Sequence, residues 1–181
     1  MKRRPMPDPI AALQAGMLEQ IAALMDARDY LGPAEWQRQF EALIVEQHAA
    51  AYFAGQGTNT LTARGDRELG ALMQSQFDYL AGFAADVDQL SDAQARARAA
   101  LYAGPLRATY SHGQLALWDL PYHPGEGTPC RGNCHCRWRI VVEDLEELNA
   151  RAYWELGATE HCDECKARAR RRYIFRGGVL Q

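Results

Sequence analysis

The chain has 181 residues, 48% of them hydrophobic and 24% charged, ordinary globular usage that excludes a fully disordered or fibrous protein. Its formal net charge of −3 carries no bulk electrostatic sign of a nucleic-acid binder. No apolar run approaches the ~20 residues that span a bilayer. The basic start Met1-Lys2-Arg3-Arg4-Pro5 leads into no apolar stretch, so neither a membrane protein nor a secretory signal is expected.

The first 119 residues read as helical. Ile10, Leu13, Met17, Ile21 and Leu24 recur at three- and four-residue steps, one apolar stripe of a helix. Gly32-Pro33 ends that helix, and the proline suits the first turn of the next. A second stripe follows through Trp36, Phe40, Leu43, Ile44, Gln47 and Ala51. Gly55-Gln56-Gly57-Thr58-Asn59 is turn chemistry and predicts a surface loop. A third stripe runs Leu69, Leu72, Met73, Phe77, Leu80, Ala84 and Val87. Ser91-Asp92-Ala93-Gln94 spells a capping box. The helix it starts is rich in small residues from Ala93 to Gly104, a face on which another helix could dock. Pro105 should kink or break that helix, and the pattern resumes at Leu106, Tyr110, Leu115 and Trp118.

Character changes after Asp119. Prolines and glycines make residues 120–133 a loop. Trp138, Ile140 and Val142 then alternate with Arg137, Arg139 and Val141, and Ala152, Trp154 and Leu156 with Arg151, Tyr153 and Glu155. These are two strands, joined by the acidic stretch 143–147 as a hairpin tip. A last short helix is expected from about His161 to Arg172. The expectation is a mainly α protein: a four-helix body over residues 1–119, then a zinc-stapled β-hairpin module over 120–181 with a short C-terminal helix.

All five cysteines fall between residues 130 and 165. The odd count, tight clustering and missing export signal fit a reducing compartment and a metal site better than a disulfide scaffold. Cys130-x3-Cys134-x-Cys136 and Cys162-x2-Cys165 bracket the predicted hairpin, the arrangement of a structural zinc site. Zinc favours four tetrahedral ligands, so one of Cys130, Cys134, Cys136, Cys162 and Cys165 is surplus. Cys130, Cys162 and Cys165 are the expected core of the set, with either Cys134 or Cys136 fourth and His135 and His161 in reserve. Five inert thiols are the plainer alternative. A redox role for Cys162-x2-Cys165 lacks the βαβ context such motifs occupy. A catalytic zinc needs an open position that a ligand surplus argues against. Arg131, Arg137, Lys166 and Arg168 are placed to offset the negative charge of a four-thiolate zinc site.

The string from Leu120 through Tyr122-His123-Pro124 to Cys130-Arg131-Gly132-Asn133-Cys134-His135-Cys136-Arg137-Trp138 resembles the cysteine loop of phage minor head proteins of the Mu F-like head morphogenesis family. Tyr153-Trp154-Glu155-Leu156-Gly157-Ala158, Glu160-His161-Cys162-Asp163-Glu164-Cys165 and the helix around Arg96–Ala103 resemble the same family. Here the Cys-x2-Cys pair follows the Cys-x-Cys string, whereas in many of those proteins it precedes it. The resemblance spans roughly residues 60–175. It implies a non-enzymatic virion component that meets capsid or portal proteins during head assembly or DNA packaging. It further implies an oligomeric setting in the particle and assembly in the host cytoplasm.

Lys166, Arg168, Arg170, Arg171, Arg172 and Arg176 form a basic run without an acid, interleaved with Tyr173 and Phe175. Arginine with aromatics suits phosphate and base contact, so packaged DNA is a candidate partner through this tail. A zinc-finger nucleic-acid-binding or regulatory protein is the alternative function. His48 and His112 stand alone on helical segments and read as solvated or satisfied side chains. Arg64-Gly65-Asp66 reads as a helix start. Residues 143–147 read as a solvated tip rather than a cation site.

Overall fold

A computed structural model describes residues 9–181 apart from 62, 123, 125–126, 131–133, 135 and 158–159. The described residues form six α-helices and a four-stranded antiparallel sheet. No helix among them is long and apolar enough to cross a membrane. Contacts divide the chain into two compact units, residues 1–113 and 114–181.

In the first unit α1 spans Pro9–Leu31, α2 Pro33–Gln56, α3 Ala63–Asp86 and α4 Asp92–Ala100, and α5, Leu106–Leu117, begins within it. Gly32, at φ 74, makes the turn, and Pro33 starts α2, where its missing N–H costs no hydrogen bond. The loop expected from Gly55 begins later. α2 continues through Gln56 because Gly57, at φ 78, supplies the left-handed cap and returns its N–H to Phe53 O. The capping box is formed: Ser91 accepts from the Gln94 N–H, and the Gln94 side chain accepts from the Ser91 N–H. Proline does break the fourth predicted helix. A 3-10 turn, Leu101–Ala103, precedes Pro105, and α5 follows as a separate helix. The expected four-helix body therefore contains five α-helical segments.

The core of this unit centres on Trp36, Phe40, Phe83 and Tyr102, packed edge-to-face with centroids 4.9–6.4 Å apart for four of the pairs. Trp36 Nε1 donates to Leu24 O at 3.1 Å, which gives the buried indole its partner. Ala95, Ala99 and Ala103 are buried in this core. Three of the seven small residues between Ala93 and Gly104, the face expected to dock a partner, are thus committed to packing. Ala93 and Ala97 remain exposed.

His48 is 1% exposed, and its Nδ1 lies 2.8 Å from Thr109 Oγ1. The Thr109 hydroxyl donates to Pro105 O at 3.4 Å, so it accepts from Nδ1–H and leaves His48 neutral, with Nε2 unpartnered among the described residues. Burial lowers its pKa from 6.5 to about 4. Between those values the unfolded chain binds the extra proton, so stability is present above pH 6.5 and is lost as pH falls toward 4. Wild type should lose about 2 kcal/mol more than His48→Gln between pH 7 and pH 5. Urea titrations followed by helical circular dichroism at the two pH values measure the difference. Equal losses would show that His48 does not titrate in this way.

In the second unit β1 (Arg137–Asp144) pairs with β2 (Asn149–Glu155), β2 with β3 (Tyr173–Arg176) and β3 with β4 (Val179–Leu180). The expected hairpin is present, with Trp138 opposite Trp154 and Ile140 opposite Ala152. The expected last helix is shorter, α6 at Asp163–Ala169. Part of the stretch read as a basic tail is β3, whose Tyr173 and Phe175 are buried while Ile174 and Arg176 face out. Gly177 and Gly178 have positive φ and turn the chain into β4, as a two-glycine hairpin turn allows. Trp118, Trp138, Trp154, Tyr173 and Phe175 fill a separate core with Cys136 and Cys165.

Candidate metal centre

Two pieces of this second unit carry the sulfurs. The described residues among 120–136 lie outside helices and strands ahead of β1, and Cys162 and Cys165 lie at the start of α6. The loop is pinned by its aromatic residue. Trp138 Nε1 donates to Tyr122 O at 2.9 Å, and the two rings stack with centroids 5.5 Å apart. The Arg168 guanidinium lies 3.7 Å from the centre of the Tyr122 ring and donates through Nε to Glu164 at 3.0 Å. A guanidinium over a desolvated aromatic face is attracted by the ring quadrupole, so α6 holds the loop through Arg168.

Cys162 is the N-cap of α6. Its Sγ accepts the Cys165 N–H at 3.4 Å. This cap turns Cys165 into the helix and the core, where it is fully buried. Across the gap, Cys130 Sγ lies 3.8 Å from both Cys162 Sγ and Cys165 Sγ, and Cys134 Sγ lies 3.9 Å from Cys165 Sγ. The sulfurs of Cys130, Cys134 and Cys165 lie within 4.8 Å of one another. Thr128 Oγ1 sits 3.1 Å from Cys130 Sγ, a contact that nothing in the cysteine spacing announces.

Cys130, Cys134 and Cys165 are mutually close enough to share one metal ion, whereas Cys162 lies outside that set of three. Four sulfurs at the ~2.3 Å zinc–sulfur distance have edges of about 3.8 Å. Cys130, Cys134 and Cys165 can hold a metal ion, and Cys162 lies one such edge from Cys130. Without a cation, burial and the neighbouring Cys162 and Cys136 thiols push the Cys165 thiol well above its ordinary value. A divalent charge at the centre reverses that preference, because a coordinating thiol is deprotonated outright.

Cys136, 1% exposed, neighbours Cys165 and has a second partner as well. Its Sγ lies 3.5 Å from His161 Nδ1, and His161 Nε2 lies 2.9 Å from Gly157 O. A carbonyl only accepts, so Nε2 carries the proton and Nδ1 is free to accept from the Cys136 thiol. His161 is thus engaged with Cys136, and His135 lies outside the described residues.

The cations expected to offset the site are paired elsewhere. Arg137 joins Glu155 at 3.0 Å, Lys166 joins Asp163 at 3.3 Å and Arg168 joins Glu164; Arg131 lies outside the described residues. The six-residue basic run is divided likewise. Arg168 is 5% exposed, which corrects its assignment as a DNA contact: its guanidinium is spent on Tyr122 and Glu164. Arg176 pairs with Glu143 at 3.0 Å. Arg170, Arg171 and Arg172 are exposed. No family model, curated protein or solved structure matches the chain.

Proposed function

We propose that residues 114–181 are a zinc-stapled structural module and that the chain is a non-enzymatic phage minor head protein. The zinc reading is carried by one observation: thiols from two segments some thirty residues apart converge at the edge length of a zinc tetrathiolate. Cys130, Cys134, Cys162 and Cys165 would hold the ion. Bound there, zinc would supply cross-linking charge rather than chemistry, because four protein ligands leave no position for water or substrate. Of the two candidates for the fourth ligand, Cys134 is favoured by its place in the close set with Cys130 and Cys165, and Cys136 by contrast lies against His161. The head-protein reading is supported by the likeness of the two cysteine strings and the helix around Arg96–Ala103 to that family, and capsid or portal proteins would be the partners.

Protein purified under reducing conditions should contain one equivalent of zinc per chain by elemental analysis. Cys134→Ser should fall well below half an equivalent, and Cys136→Ser should keep a full one. Less than half an equivalent of any metal in the wild type would end the zinc reading. Recovery of the chain in purified particles tests the assembly role.

A further inference from the structure

The sheet of the second unit buries one face. Trp138, Ala150, Ala152, Trp154, Tyr173 and Phe175 point into the core, so the alternate residues of the same strands lie on the opposite face, half-buried at Arg137, Arg139, Tyr153 and Glu155 and exposed at Val141, Arg151, Ile174 and Arg176. Two glutamates on it each hold two arginines. Glu155 takes Arg137 at 3.0 Å and Arg139 at 2.5 Å, and Glu143 takes Arg151 at 2.5 Å and Arg176 at 3.0 Å. Four guanidiniums against two carboxylates leave the face cationic.

Tyr153 sits amid this charge. Arg139 is its direct cross-strand neighbour and lies over its ring at 4.3 Å. The last β2–β3 pair is Ala152 opposite Tyr173, so Arg172 is one step further along, in line with Tyr153. Val141 and Ile174, 38% and 41% exposed, flank Arg151 in the neighbouring cross-strand row. Arg170 and Arg171 continue the exposed positive run beside the face, with no carboxylate within ion-pair distance among the described residues.

We infer that this face, with Arg170, Arg171 and Arg172 at its border, binds a single nucleic-acid strand. The arginines match the phosphate charge, and Tyr153 with its aliphatic neighbours offers bases a partly apolar platform, the combination that holds single strands without sequence preference. A duplex would present phosphates alone to a flat sheet and leave Tyr153 unused. An acidic protein would satisfy the guanidiniums but would give the tyrosine no stacking partner. The inference stands apart from the zinc and head-protein readings, although it uses the sheet of the same unit.

The test is fluorescence anisotropy of zinc-loaded full-length protein with a labelled oligothymidylate strand and with a duplex of equal length. The strand should bind more tightly than the duplex. Three phosphate contacts predict a loss of about 20-fold in affinity between 50 and 200 mM salt, at a slope of ~0.7 per contact. Replacing Arg170, Arg171 and Arg172 together with Ala should remove most of that slope. Tyr153→Leu should weaken strand binding about tenfold while leaving the slope intact, in keeping with one stacked base. Retained zinc in each variant shows that the module still folds, so a negative result here is distinguishable from failure of the metal reading. Absence of salt-dependent binding at micromolar protein would overturn the inference. So would equal binding of strand and duplex, unaltered binding by the triple variant, or wild-type affinity in Tyr153→Leu.

Discussion

Stripping the metal should unfold residues 114–181 and leave residues 1–113 folded. A structural zinc contributes on the order of 10 kcal/mol to small modules of this kind, more than a core of some seventy residues supplies alone. Cys165→Ser should act as the chelator does, since Cys165 Sγ neighbours both Cys130 and Cys134 and is fully buried. The first unit has its own core of Trp36, Phe40, Phe83 and Tyr102 and contains no cysteine. Tryptophan emission reports the event selectively, because three of the four tryptophans, Trp118, Trp138 and Trp154, lie in the second core. The expected result is a red-shifted emission with most of the helical circular dichroism kept. Unchanged emission after complete metal removal would show that the sheet stands without the staple. Loss of all helical signal would show one cooperative unit.

Gly113→Ala should be the most damaging single methyl in the first unit. A Cβ at Gly113 would lie 2.0 Å from Tyr52 O, 2.9 Å from Tyr52 C and 3.1 Å from Gln56 N. All three are backbone atoms of α2, so no side-chain rotation relieves the clash. α5 must move away from α2 and take Thr109 from His48 with it. A cost of about 3 kcal/mol or more is expected, the upper part of the overpacking range. Gly16→Ala is the control: nothing lies within 4 Å of its added Cβ, and in a helix interior alanine is favoured over glycine by up to about 1 kcal/mol. Urea midpoints that rank Gly16→Ala at or above wild type and Gly113→Ala far below would bear this out. A midpoint for Gly113→Ala close to wild type would refute the tight approach.

Local chemistry was the part of this structure most legible in the sequence. Ser91 with Gln94, Pro33 after Gly32 and the alternations over 137–142 and 151–156 each specify their element through contacts a few residues away, and each is found in place. The convergence of the cysteines was legible because metal-ligand spacing is itself local: Cys162 caps the turn that buries Cys165. Strand β3 was hidden by charge. Tyr173-Ile174-Phe175-Arg176 alternates as a half-buried strand does and Gly177-Gly178 turns the chain after it, yet the arginines among them read as one basic run that continues past the last helix. Arg168 misled for the opposite reason. Nothing in a sequence marks which arginine of a run lies over a tyrosine some forty-five residues earlier. His48 and Thr109, sixty-one positions apart, meet only once α5 packs on α2.

The crowding of sulfur has a covalent consequence. Thiols 3.8 Å apart need to close by only about 1.8 Å to reach a disulfide bond length of ~2.05 Å. Cys130 could close on either Cys162 or Cys165, and Cys134 on Cys165, so air or peroxide acting on the metal-free protein has several competing pairings available. Each would lock the loop to α6 in a slightly different arrangement, and only thiol exchange over minutes to hours would release it. A cation bound by those sulfurs would act as a protecting group. Metal added after oxidation should then fail to restore a single species, whereas metal added before it, or after a reductant, should succeed.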